Sequence, residues 1–165
     1  MMGNNPSVTK GAKLPVTNVS WNDCQDYIKR LNAKTNGGYR LPTDAEWEYA
    51  CRAGTTTVYS FGNNITKKDA NFDGSGRPVL VGNYFANSFV LYDMHGNVWE
   101  LCEDWVGDYL NGAALDPKGP EKGKIRVGHG GAFTTHVIDA RSSYRPNISP
   151  TYRSFSVGLR LARTP

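Results

Sequence analysis

The sequence predicts an α+β domain with two short helices in its first third and a loop-rich remainder built on short strands. Two capping boxes, Ser20 with Asp23 and Thr43 with Glu46, each introduce an amphipathic run. From Thr55 to the end no long helical period recurs, and short apolar pairs alternate with Gly, Asn, Asp and Pro. Eighteen glycines and nine prolines make the chain rich in turns.

Residues 1–13 are polar and predict a poorly ordered start, with one domain over 14–165. The stretch PVTNVSW, 15–21, alternates like a short strand. Helix one follows Ser20, because Cys24, Tyr27, Ile28 and Leu31 fall at i, i+3, i+4 and i+7. Asn36-Gly37-Gly38 ends it. Helix two spans Asp44 to Ala53: Asp44 and Glu46 suit its positive start, Trp47, Ala50 and Cys51 make an inward face, and Gly54 stops it.

At 165 residues the chain has the length of one compact domain, and 39% hydrophobic with 12% aromatic content is that of a folded protein. No run reaches the roughly 18 apolar residues of a membrane helix, and residues 1–13 lack the apolar stretch of a signal peptide, so a soluble domain is expected. Its location is left unassigned. The net charge of +4 resides in the tail, where five Arg face the single Asp139 from Val127 onward. Without a lysine or a basic run there, those arginines read as loop braces rather than as a nucleic-acid surface. Cys24, Cys51 and Cys102 show no CxxC spacing and read as buried small hydrophobes. His95, His129 and His136 are isolated, which disfavours a transition-metal site and suggests surface or turn positions.

Asp93 and Glu100 lie seven residues apart around Gly96. Two carboxylates so placed can wrap one calcium ion with backbone carbonyls filling its oxygen shell. The same residues are compatible with Asp93 capping a turn and Glu100 pairing with an arginine.

The motifs PVTNVSWNDCQDYIKRLN, YRLPTDAEWEYACRAG, FVLYDMHGNVWELCEDW and RVGHGGAF…ARSSYR…VGLRLA together resemble the formylglycine-generating enzyme (sulfatase-modifying factor) superfamily over about Pro15 to Ala162. The resemblance implies a C-type-lectin-like fold of the formylglycine-generating-enzyme type, with two helices, a small twisted antiparallel sheet and high loop content. It also implies structural calcium held by Asp93, Gly96, Val98 and Glu100. The enzyme that names the family uses two cysteines and copper, and those cysteines align with Thr135 and Ala140 here. Neither side chain supplies the soft thiolate that copper(I) prefers, so no copper and no formylglycine-generating catalysis are expected. The alternative is a divergent oxidoreductase of the family, or a pseudoenzyme.

The tail separates into two sets. Gly130, Gly131, Arg141, Arg145, Pro150, Gly158 and Arg160 look like fixed punctuation. Between them lie Thr134, Thr135, His136, Asp139, Tyr144, Asn147, Ile148, Ser149, Tyr152, Ser154, Phe155 and Ser156, a display set. Lys, Glu, Gln, Met and Trp are absent from residues 127–165 although the rest of the chain holds nine Lys, five Glu, one Gln, three Met and four Trp. These are the amino acids that changing only the adenines of an AAC codon cannot reach. The tail therefore resembles the variable region of proteins diversified by a retroelement. Aromatic side chains among Ser, Thr, Asn and His supply rigid contact area with adaptable hydrogen bonding, as in antibody loops. The expected function is non-catalytic receptor recognition through residues 134–156, directed at a protein or cell-surface molecule, as on a virion or microbial surface.

Overall fold

The computed structural model describes residues 2–109 and 111–164, so Met1 and Pro165, the outermost positions of the expected domain bounds, lie outside it. Helix α1 covers Trp21–Asn32 and helix α2 covers Asp44–Arg52. Both capping boxes are closed on both sides: Ser20 and Thr43 accept from the backbone of Asp23 and Glu46, whose carboxylates return to the cap backbone. Helix α2 ends on Ala53 in the left-handed region, φ 46°.

Among the described residues six strands follow the expected economy: β1 (Tyr39–Arg40), β2 (Trp99–Trp105), β3 (Arg126–His129), β4 (Asn147–Ile148), β5 (Val157–Leu159) and β6 (Ala162–Arg163), with a 3-10 turn at Val137–Ala140. Strands β4-β3-β2-β5 form one sheet, and β1 pairs with β6 in a second. All pairs are antiparallel except β2 with β5, which run parallel with Trp99 opposite Val157.

The seven-residue β2 organises the core. Its successive side chains point to opposite faces. Leu101 joins Cys24 and Ile28 of α1 with Val19, Leu41, Ile148 and Val157, while Cys102 joins Trp47 and Cys51 of α2 with Met94 and Val127. A third cluster joins Tyr59 and Phe72 to Ala140 of the tail, with Val137 packed against it.

The strand expected over 15–21 is absent. Asn18 takes φ 61°, which breaks the extended alternation. Local backbone groups find other partners: Thr17 N–H donates to Ser7 Oγ at 2.9 Å and Asn18 N–H to the Ser154 carbonyl at 2.9 Å. None of the described helices is long and apolar enough to cross a membrane.

Candidate functional site

The tail is tied to the body from both sides. Phe133 N–H donates to the Asn97 carbonyl at 2.9 Å, and the carbonyls of Phe133 and Thr135 accept from Ser75 N–H and Asp73 N–H at 3.2 and 2.8 Å. Three tail arginines act as braces. Arg145 pairs with Asp44 at 2.8 Å, Arg153 with Asp23 at 2.6 Å, and Arg160 grips both oxygens of Glu100 at 2.7 Å. Gly131 has φ 78°, and a side chain there would meet the Cβ of Ala140 at 2.9 Å, so the glycine lets the tail fold back on itself.

Between these braces the display positions divide. Thr134, His136, Asn147, Tyr152 and Phe155 are exposed, and Thr135, Asp139, Tyr144, Ser149 and Ser154 are half-buried. Phe155 leans on the buried Phe133 at 5.8 Å, and Tyr144 lies against Trp99 at 5.9 Å with the Arg141 guanidinium above its ring. Two expected positions need correction. Ile148 is only 6% exposed: consecutive strand residues face opposite ways, so Asn147 pointing to solvent sends Ile148 into the core. Ser156 is buried, because its carbonyl accepts Trp99 N–H at 2.8 Å where β5 joins the sheet.

The sequence reading missed Ile138, which points outward from the 3-10 turn and is exposed. It also missed the 73–77 loop that borders the tail. The only sequence signal for that loop is its Asp-Gly-Ser-Gly composition, realised as left-handed conformations at Asp73, Gly74 and Gly76.

Positions 135 and 140, which the resemblance pairs with two cysteines, are occupied by side chains that serve the local fold. Thr135 turns its hydroxyl back on its own turn, accepting from Ala132 N–H at 3.0 Å and donating to the Ala132 carbonyl at 3.1 Å. Ala140 is fully buried, and its carbonyl accepts from His95 Nδ1 at 2.7 Å. His95 Nε2 in turn accepts from Ser60 N–H at 3.0 Å, which fixes its tautomer as the Nδ1–H form. Burial holds the His95 pKa below its usual range.

His95 is therefore a buried strut and not a surface residue. His129 is also fully buried, stacked on Trp47 at 4.5 Å with Nε2 at 2.6 Å from Asp44 Oδ1. His136 alone among the three is exposed, 3.4 Å from Asp73.

All three cysteines are free and buried; burial pushes the Cys24 and Cys51 thiols up to about 12 and Cys102 well above the usual thiol range. Among the described residues no group of three or more His, Cys, Asp or Glu side chains is gathered to hold a metal.

The 93–100 loop turns through left-handed residues at Asp93, Gly96 and Asn97. Only glycine fits position 96, where a Cβ would lie within 2.9 Å of the Asn71 carbonyl carbon and closer still to its oxygen. Asp93 Oδ2 accepts from Gly82 N–H at 2.5 Å, whereas its Oδ1 is buried without a hydrogen-bond partner. Burial raises the Asp93 pKa.

The side chains fit a cation at Asp93 and not at Glu100. Arg160 occupies both Glu100 oxygens, and Trp47 Nε1 adds a third bond at 2.7 Å. Of the two readings open for Glu100, the arginine pair is the one this geometry adopts.

Comparison with known proteins gives the context for this site. Residues 1–165 match the sulfatase-modifying factor enzyme 1-like domain. The formylglycine-generating enzyme of Thermomonospora curvata is 33% identical over 93% of this chain and 58% of its own length. The mouse (Mus musculus) formylglycine-generating enzyme is 32% identical over 97% of this chain and 47% of its own. A serine/threonine-protein kinase pkn1 from Chlamydia caviae is 39% identical over 92% of this chain but only 24% of its own. The chain thus spans between a quarter and three-fifths of these relatives.

Among solved structures, Treponema denticola variable protein 1 superposes with a TM-score of 0.91 at 30% identity, covering 99% of this chain and 79% of that one. PvdO from Pseudomonas aeruginosa gives 0.84 at 32% identity, covering 94% and 64%. The chain belongs to the sulfatase-modifying factor enzyme 1-like domain family, the family of the formylglycine-generating enzymes, and shares its fold with a variable protein.

Proposed function

We propose that the chain is a non-catalytic ligand-binding domain whose tail, residues 134–156 less Ile148 and Ser156, is a recognition surface diversified by a retroelement. The observation that carries this reading is the division of labour in the tail. Arg145, Arg153 and Arg160 are spent on carboxylates of the body, while the exposed positions between the braces hold only amino acids within reach of adenine changes in AAC codons. The likeness to a variable protein supports the same reading. The partner this surface suits is a protein or other cell-surface molecule. Exposed Tyr152, Phe155 and Ile138 offer apolar contact, and three of the tail's five arginines are already paired with carboxylates of the body, which leaves less free positive charge for a nucleic acid.

Catalysis by the family's copper chemistry has no thiolate at positions 135 and 140, so copper and a cysteine-bearing substrate peptide are expected to yield no formylglycine. The decisive experiment reads the coding DNA and its neighbourhood. A reverse transcriptase beside a near-identical repeat that differs from the tail only at adenines is the expected result. Its absence would sink retroelement diversification.

Calcium in the 93–100 loop is a separate proposal. It would be held by the Asp93 and Glu100 carboxylates with the Gly96 and Val98 carbonyls, and it requires Arg160 to release Glu100.

A further inference from the structure

Alternation along β2 puts Asp104 on the same face as Cys102, the face turned to α2. A carboxylate therefore occupies an inward position, and it is only 4% exposed. Its Oδ2 accepts from Asp44 N–H at 2.8 Å, at the start of α2. Among the described residues no cation is paired with it. Arg145 is committed to Asp44 at 2.8 Å, and Arg126 lies between Trp21 and Trp105 and donates to the Glu103 carbonyl. Keeping a buried carboxylate ionised without a counter-charge is costly. Burial, reinforced by the neighbouring Asp44 and Glu103, raises the Asp104 pKa.

Asp104 lines a cavity of about 430 Å³ between the start of α2, the end of β2 and residues 117–120. Its Oδ1 is the oxygen on that side: a Cβ on Gly119, which also lines the cavity, would stand 3.3 Å from it. No hydrogen bond among the described residues reaches Oδ1, whereas Oδ2 is held by α2. Asp44, Glu48 and Asp108 add three carboxylates to the lining, against Arg145 and Lys118. With Asp44 set against Arg145, and Glu48 against Arg52 at 2.7 Å, Asp104 and Asp108 face Lys118 alone. The cavity thus keeps a negative excess in a chain whose formal net charge is +4.

We propose that this cavity takes an alkylguanidinium group, with Asp104 Oδ1 as its counter-ion. The acidic side chains line a space and do not gather into a metal-holding group, so an extended organic cation suits them better than a point charge. A flat guanidinium suits the site better than an ammonium, because it donates through a rigid fork and stacks on aromatic rings. Tyr109, 67% exposed on the cavity lining, already carries one such group, the Arg145 guanidinium 4.5 Å from its ring centre. The site shares only the brace Arg145 with residues 134–156, and it stands whether or not the tail proves variable.

Titration of the full chain with butylguanidinium and with acetyl-arginine amide, each to about 20 mM, tests the site by amide chemical-shift changes in NMR. The expected result is saturable shifts at the Asp44 and Gly119 amides, with butylammonium binding about fivefold more weakly. Binding by either guanidine supports the site; the tighter one distinguishes a free small molecule from an arginine of a polypeptide. Asp104→Asn keeps an acceptor for Asp44 N–H and should weaken binding at least about tenfold. Lys118→Glu, on the exposed rim, should tighten it about twofold, and it keeps the test open if Asp104→Asn does not fold. Asp26→Asn, at an exposed position of α1 outside the cavity lining, should change nothing. No shift at Asp44 and Gly119, a folded Asp104→Asn that binds like the wild type, butylammonium binding equally well, or a Lys118→Glu that does not tighten binding would each overturn the proposal.

Discussion

Asp23 joins the helical half of the chain to its tail through one carboxylate. Its Oδ2 accepts from Ser20 N–H at 2.8 Å and from Arg153 Nε at 2.6 Å, and Oδ1 accepts from a second Arg153 nitrogen at 2.7 Å. The guanidinium is the first cause holding this carboxyl down at about 2. A folded-state pKa below the unfolded value of about 3.9 gives stability that is complete above pH 4 and is lost as pH falls towards 2. Arg153→Leu should therefore lower the unfolding free energy modestly at pH 7, the pair being partly exposed, leave it unchanged near pH 2, and move the midpoint of acid unfolding upward by a fraction of a pH unit, read by circular dichroism. An unmoved midpoint would show that the pair holds nothing in solution.

The helices are stabilised at their ends by contacts that need no tertiary partner. Thr43 Oγ1 accepts from Glu46 N–H at 3.2 Å, Glu46 Oε2 accepts from Thr43 N–H at 2.9 Å, and Arg40 braces the same glutamate. Thr43→Ala is expected to lower unfolding free energy by about 1 kcal/mol in urea titration, with Thr43→Ser restoring most of it. Both helices were legible in the sequence because a capping box is written within four residues. The parallel pairing of β2 with β5 was not, since Trp99 meets Val157 across more than a third of the chain and neither strand encodes its neighbour's direction. The same distance hid the buried histidines. His95 is fixed by Ser60 and Ala140, 35 and 45 residues away, and His129 by Asp44, 85 residues away. The tail's division into braces and display positions is readable in composition, but the facing of Ile148 is not, because a two-residue strand has too short a period to declare it, nor is the burial of Ser156, which depends on Trp99 far away in the chain.

For the molecule as a whole, calcium is the question with the largest leverage. A ligand that binds only the folded state raises the melting temperature in proportion to its affinity. With calcium at about 1 mM the melting temperature should exceed that in chelator by several degrees, and Asp93→Asn should abolish the difference. Equal melting temperatures would leave Arg160 as the resident cation of the loop, consistent with its bidentate hold on Glu100.

The contact of Trp99 with Tyr144 has an optical consequence. Trp47 stacks on His129, and Trp21 and Trp105 enclose the Arg126 guanidinium at 3.6 and 3.3 Å, so each of those indoles has a neighbour inside the scaffold. Trp99 is partnered instead by an aromatic ring of the tail. A target that settles on Tyr144 changes the surroundings of that indole, and its emission reports the encounter without a dye. Comparing the wild type with Trp99→Phe separates this signal from the other three fluorophores.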